Sequence, residues 1–159
     1  MAIAKLPVNL EELKKLGESK LSTPEETALL TVAALCAYPA DKNACIEMLD
    51  YLKGPESVSE YEKQFLRDRF RDADYVPRSY LKGATPDNNY TPSTPYDITI
   101  KTVKKSEDEN YCNVYLISGG ADSPREVRCR LKPSTGQWFL NEQMLLAGIR
   151  VPKAADPWA

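Results

Sequence analysis

Apolar residues recur along this chain with two different periods, and the change between them divides it in two. From Asn9 to about residue 75 the spacing is helical. Leu10, Leu13 and Leu16 share one face of a short helix that Asn9 can cap and Gly17 stops. Thr23-Pro24-Glu25-Glu26 reads as a start: the threonine caps, the proline sits where a missing N–H costs nothing, and Glu26 closes a capping box. The run Ala28–Ala37 is apolar nearly all round, which predicts a buried central helix, and Pro39 ends it. Asp41 caps a third helix with Cys45, Met48, Leu49 and Leu52 on one stripe, closed by Gly54-Pro55. Ser57 with Glu60 forms a second capping box, opening a helix that carries Val58, Tyr61, Phe65, Leu66 and Phe70.

The second half alternates. Tyr96, Ile98 and Ile100 alternate with Asp97, Thr99 and Lys101, the signature of a half-buried strand. Lys104–Asn110 reads as a charged turn, Tyr111–Ser118 as a second strand, Arg125–Lys132 as a third and Gln137–Leu140 as a fourth, with Gly119–Asp122 and Pro133–Gly136 as turns. Four strands joined by short turns predict an antiparallel meander, and three or four helices covering one of its faces make the class α+β. Matching the apolar faces of the second and third strands pairs Cys112 with Cys129 and leaves Gly119–Asp122 as a four-residue loop.

Between the halves lies 76–95, rich in Pro, Tyr, Asn and Thr. Its tyrosines each offer a large surface to pack, so an ordered loop wrapped on the sheet is expected, with a short strand near Ser79–Leu81. The whole reads as a single domain over 1–159: helical half 1–75, connecting loop 76–95, sheet 96–141 and C-terminal segment 142–159.

Composition narrows the chemistry. The chain has 159 residues and no histidine, which removes Ser-His-Asp and Cys-His nucleophile systems, histidine metal sites and HExxH helices. Its net charge of −2 argues against nucleic acid as partner. Residues 1–75 hold 10 Lys/Arg against 14 Asp/Glu, and the rest hold 11 against 9, so the sheet half is mildly basic. No apolar stretch is long enough for a signal peptide or a membrane span, and cytoplasm is the expected location. Cys36, Cys45, Cys112 and Cys129 form no CxxC pair and sit at core positions, so neither a metal nor a thiol nucleophile is expected. The glycine-bearing loops lack the pattern of a phosphate cradle, and no cofactor is expected.

What remains is surface. Cys112, Val114 and Leu116 point one way along the second strand, with Tyr111, Asn113, Tyr115 and Ile117 opposite. Val127, Cys129 and Leu131 lie opposite Glu126, Arg128, Arg130 and Lys132 on the third. The outer face thus mixes tyrosine with arginine, a composition favoured where partners bind and suited to carboxylate or phosphate. Tyr80, Tyr90, Tyr96 and Trp158 are large enough that packing is expected, so loop 76–95 and Asp156-Pro157-Trp158 should lie against the sheet and border the site. The candidate surface is Tyr80, Tyr90, Tyr96, Tyr115, Arg125, Arg128, Arg130 and Trp158.

Several segments then carry a resemblance: Lys82-Gly83-Ala84-Thr85-Pro86, Tyr90-Thr91-Pro92, Gly119-Gly120-Ala121-Asp122-Ser123-Pro124-Arg125, Trp138, Gly148-Ile149-Arg150 and Asp156-Pro157-Trp158. From about residue 75 onward the chain resembles an uncharacterised family of bacterial proteins from gut Firmicutes, a domain of unknown function. The resemblance implies a bacterial source and brings no activity with it. The residues point to a non-catalytic binding or protein-interaction domain, its partner a protein or a small anionic ligand, the chain a monomer or weak homodimer. The alternative is a small enzyme with a carboxylate- or tyrosine-based site between loop 76–95 and the sheet.

Overall fold

The computed structural model describes residues 1–159. Helices α1 (Leu10–Lys14), α2 (Pro24–Cys36), α3 (Lys42–Lys53) and α4 (Glu60–Phe70) precede strands β1 (Ile100–Lys105), β2 (Tyr111–Leu116), β3 (Arg125–Lys132) and β4 (Gln137–Gln143). The strands pair antiparallel in the order β1-β2-β3-β4, so the fold is α+β with a meander. No helix is long and apolar enough to cross a membrane.

Capping chemistry starts the helices. Asn9 Oδ1 accepts from the Glu12 amide at 2.9 Å, and Asp41 Oδ1 from the Ala44 amide at 3.1 Å. Thr23 and Glu26 form the reciprocal box, at 3.2 and 3.0 Å. The box of α4 is Ser59 with Glu62, two residues later than the Ser57–Glu60 pair expected. Both pairs fit the motif. The later one forms because Asp50 takes the Val58 amide at 2.7 Å and Val58 is buried, which holds the chain extended up to Ser59.

Every residue of α2 from Thr27 to Leu35 is buried. This central helix packs against α3 and across β2, β3 and β4. Its two hydroxyls are satisfied: Thr31 donates to the Thr27 carbonyl at 2.8 Å, and Thr27 donates to the Trp138 carbonyl of β4 at 2.5 Å. One cluster of 31 buried residues takes members from both halves.

The register of β2 and β3 sets Cys112 opposite Cys129, with Cys112, Val114, Leu116, Val127 and Cys129 all buried under the helices. The ladder stops sooner than expected. Its last pair is Leu116 with Arg125, so the connection is 117–124 and not Gly119–Asp122 alone. The reason is competition for backbone. Ile117 donates to Thr99 at 2.9 Å and Gly119 to Ser79 at 2.8 Å, drawing the chain away from β3. Elsewhere β1 begins at Ile100 and runs to Lys105, into the expected turn, while Tyr96 and Ile98 make only single bridges, to Ile3 and Leu81. β4 continues past Leu140 to Gln143, with a bulge at Arg128/Cys129 opposite it.

The two sheet edges differ. At β4, Trp138 N–H donates to Leu21 at 2.8 Å and Lys53 Nζ donates to the Asn141 carbonyl at 3.3 Å. Leu21 reaches that position in a left-handed conformation (φ 56°), a strain of about 1 kcal/mol that its complete burial offsets. β1 is open and exposed, and Lys101, Lys104 and Lys105 blunt it against pairing with a second sheet.

Segment 76–95 is knit rather than slack. It makes a 3₁₀ turn at Pro77–Tyr80, a bridge from Leu81 to Ile98 in place of the short strand expected, and a second 3₁₀ turn at Pro86–Asn88. Tyr80 and Tyr90 are buried within it.

Candidate functional site

The outer face of the sheet follows from the period of two and the observed register. Tyr115 of β2 lies opposite Thr102 and Glu126; Asn113 opposite Lys104 and Arg128; Tyr111 opposite Arg130. The cations lie on the rings. Arg128 Cζ stands 4.5 Å from the Tyr111 centroid, Arg130 Cζ 5.5 Å from the same ring, and Lys104 Nζ 5.5 Å from Tyr115. Stacking fixes each cation while leaving N–H groups for a further acceptor. Arg130 also meets Glu56 at 3.8 Å, where both side chains are more than half exposed, so the pair is weak. Asn113 Oδ1 sits at the centre of this face, buried and without a hydrogen-bond partner.

Tyr115, Arg128 and Arg130 are therefore brought together as expected, and Tyr111 and Lys104 complete the group. Lys104 was hidden from sequence reasoning because it falls inside the stretch expected to be a turn. The other candidates separate. Tyr80 is 1% exposed and donates its hydroxyl to the Leu145 carbonyl at 2.6 Å. Tyr90 is fully buried, stacks on Tyr75 with centroids 5.4 Å apart, and donates to the Arg150 carbonyl at 2.5 Å. Burial pushes both phenols upward in pKa, so both stay neutral donors. They anchor loops and offer no surface. Tyr96 is half-buried and exchanges backbone hydrogen bonds with Ile3 at 2.8 and 2.7 Å. Arg125 spends its fork on the carbonyls of Ser123, Ala147 and Gly148 and on the Ser123 hydroxyl.

Trp158 corrects an expectation. It is 94% exposed and does not pack on the sheet, because the tail after Pro152 is held only by local turns and by Lys153 on Asp87. No residue from Ala154 to Ala159 is buried. Deleting 154–159 is expected to change unfolding stability by less than about 0.5 kcal/mol, measured by urea titration.

The glycine-bearing segments meet at one corner beside the β2–β3 connection. Gly119 lies against the Ala84 carbonyl, and Gly120 against the Tyr90 hydroxyl and Ile149. Arg150 N–H donates to Gly120 at 2.9 Å, and its guanidinium pairs with Asp122 at 3.0 Å. Arg78 closes the back of the corner on the carbonyls of Tyr90 and Asn89, at 3.0 and 3.1 Å. The polar groups here satisfy one another, and the glycines serve close approach between backbones.

The remaining titratable groups with large shifts lie in the core. Burial pushes the Cys45 thiol up to about 12 and the Cys129 thiol further in the same direction, which leaves neither as a thiolate near neutral pH. All four cysteines are free. The main cavities lie away from loop 76–95: two flank Lys53 beside β4, and a third is bordered by the stacked Tyr38 and Phe70 together with Pro39, Lys42 and Asp74. Lys53 went unnoticed in the sequence although its phase shows it, four residues after Leu49 on the buried stripe of α3.

No curated protein and no solved structure matches this chain. The family match takes in the helical half as well as the sheet, and it stops short of the exposed Trp158. Over residues 5–153 the chain matches, and so belongs to, the family described as Domain of unknown function (DUF6935).

Proposed function

We propose that this chain is a non-catalytic binding domain whose outer sheet face takes an acidic segment of a protein partner. One observation carries the reading: Lys104, Arg128 and Arg130 are stacked on Tyr111 and Tyr115 across a face that no helix covers. Carboxylates of the segment meet the cations, and the rings supply apolar area at low entropy cost. The four free thiols fit a reducing compartment, in keeping with a cytoplasmic location.

The test is titration with a short Asp/Glu-rich peptide, followed by amide shifts. Shifts at Tyr111, Asn113 and Arg128 that weaken with salt and vanish in the Arg128→Glu/Arg130→Glu variant support the reading. Shifts that are absent, or that survive the double reversal, overturn it. The thermal midpoint of the variant verifies that it is folded.

A further inference from the structure

A second surface, which meets the sheet face where Glu56 approaches Arg130, carries a further inference. A cavity of about 520 Å³ opens between the end of α3, the first turns of α4 and β4 from Leu140 onward. That volume falls in the range of sites that hold a ligand or an anchoring side chain. Tyr61 and Phe65, one helical turn apart on α4, form one wall. Leu140 and Met144 contribute the other, with Leu49, Val58 and Leu66 beneath. Tyr61 is 80% exposed and Met144 50% exposed, while Phe65 carries the Arg69 guanidinium 5.0 Å from its ring centroid.

The charges along the groove choose the occupant. Four charged residues line it: Lys53, Glu56, Glu62 and Glu142, a net of −2. Lys53 is the only cation, and its side chain is 6% exposed, with its ammonium spent on Glu62 Oε2 at 3.1 Å and the Asn141 carbonyl at 3.3 Å. What faces solvent among these four is carboxylate: the Glu56 and Glu62 side chains are 65% and 42% exposed, Glu56 in a weak 3.8 Å contact with Arg130, and Glu142, opposite Arg128 in the β3–β4 register, is exposed. An acidic ligand would be repelled here, and a neutral apolar one would leave the carboxylates unused. We propose that this groove docks a basic amphipathic segment of a partner protein, its apolar side chains laid between Tyr61 and Met144 and its Lys or Arg residues on Glu56 and Glu142. Methionine and tyrosine suit the role, the first adapting its shape and the second adding rigid area. The groove adjoins the basic outer face, where Glu56 touches Arg130 and Glu142 lies opposite Arg128, and it selects the opposite charge.

The experiment uses the full chain and three synthetic peptides: an amphipathic helix former with Leu/Phe on one face and Lys/Arg on the other, the same peptide with Glu replacing Lys/Arg, and a scramble that abolishes the apolar face. Calorimetry and amide shifts report binding and its location. The expected result is that only the basic amphipathic peptide binds, with shifts at Tyr61, Phe65 and 140–144. Its affinity should fall about tenfold or more in Glu56→Lys/Glu142→Lys and in Tyr61→Ser/Met144→Ser, a change of about 1.4 kcal/mol or more. The control Glu11→Lys/Glu107→Lys makes the same change in net charge at two exposed sites outside the groove. Equal weakening by that control, equal binding of the acidic or scrambled peptide, or shifts outside the groove would each overturn the proposal. The Arg128→Glu/Arg130→Glu variant removes the cations nearest Glu142 and Glu56, so it should bind the basic peptide at least as tightly as the parent, and weaker binding would overturn the proposal.

Discussion

Replacing Tyr80 by alanine is expected to cost about 3–5 kcal/mol of unfolding free energy, the scale of a large aromatic lost from a packed core. Tyr80 is 1% exposed in the 31-residue cluster, and its hydroxyl donates to the Leu145 carbonyl at 2.6 Å. Truncation therefore leaves a cavity and also an orphaned carbonyl in the segment after β4. Tyr80→Phe isolates the second effect, keeping the ring while removing the donor, and should cost only about 1–3 kcal/mol. Urea titration of both variants gives the comparison. If Tyr80→Ala falls within about 1 kcal/mol of the parent, segment 76–95 is not anchored as described.

The second large effect is expected at Gly119. A Cβ there meets the carbonyl oxygen of Ala84, a backbone atom with no rotamer to retreat into, while the Gly119 amide is tied to the Ser79 carbonyl at 2.8 Å. The methyl of Gly119→Ala can be accommodated only by parting the two loops, at a cost of about 1–3 kcal/mol. Gly17 supplies the contrast, since a Cβ on it meets nothing within 4 Å. Gly17→Ala should be neutral or stabilising by about 0.4–1 kcal/mol through the unfolded chain. Equal effects at the two positions would show that the corner does not pack as the structure has it.

The candidate site was legible in part. Tyr115, Arg128 and Arg130 share the outer face because alternation along a strand is a local rule, and one correct register extends it to the neighbouring strand. Tyr80 and Tyr90 pack, as their size predicts, but so completely that they leave the candidate surface, each hydroxyl finding a carbonyl across the fold. Those carbonyls belong to Leu145 and Arg150, 65 and 60 residues away in sequence, and no local pattern announces them. Trp158 erred in the other direction. Its size argued for packing, yet nothing in the fold reaches far enough to cover it.

By itself the sequence determined what depends on short range. Capping residues started α1, α2 and α3 because a side-chain oxygen next to unpaired amides acts over one turn. The change of period placed helices before strands, and the apolar faces of β2 and β3 brought Cys112 opposite Cys129. The tertiary structure decided where two local solutions were equally good or where the partner lay far away. Asp50 and a buried Val58 selected Ser59 over Ser57 as the cap of α4. Ser79 drew Gly119 out of the hairpin, and Leu21 with Lys53 closed the edge of β4. The groove at Tyr61 and Met144 exists only once α4 stands beside the end of β4. A cavity is a relation between elements about 80 residues apart in the chain, and helix packing, not local spacing, creates it.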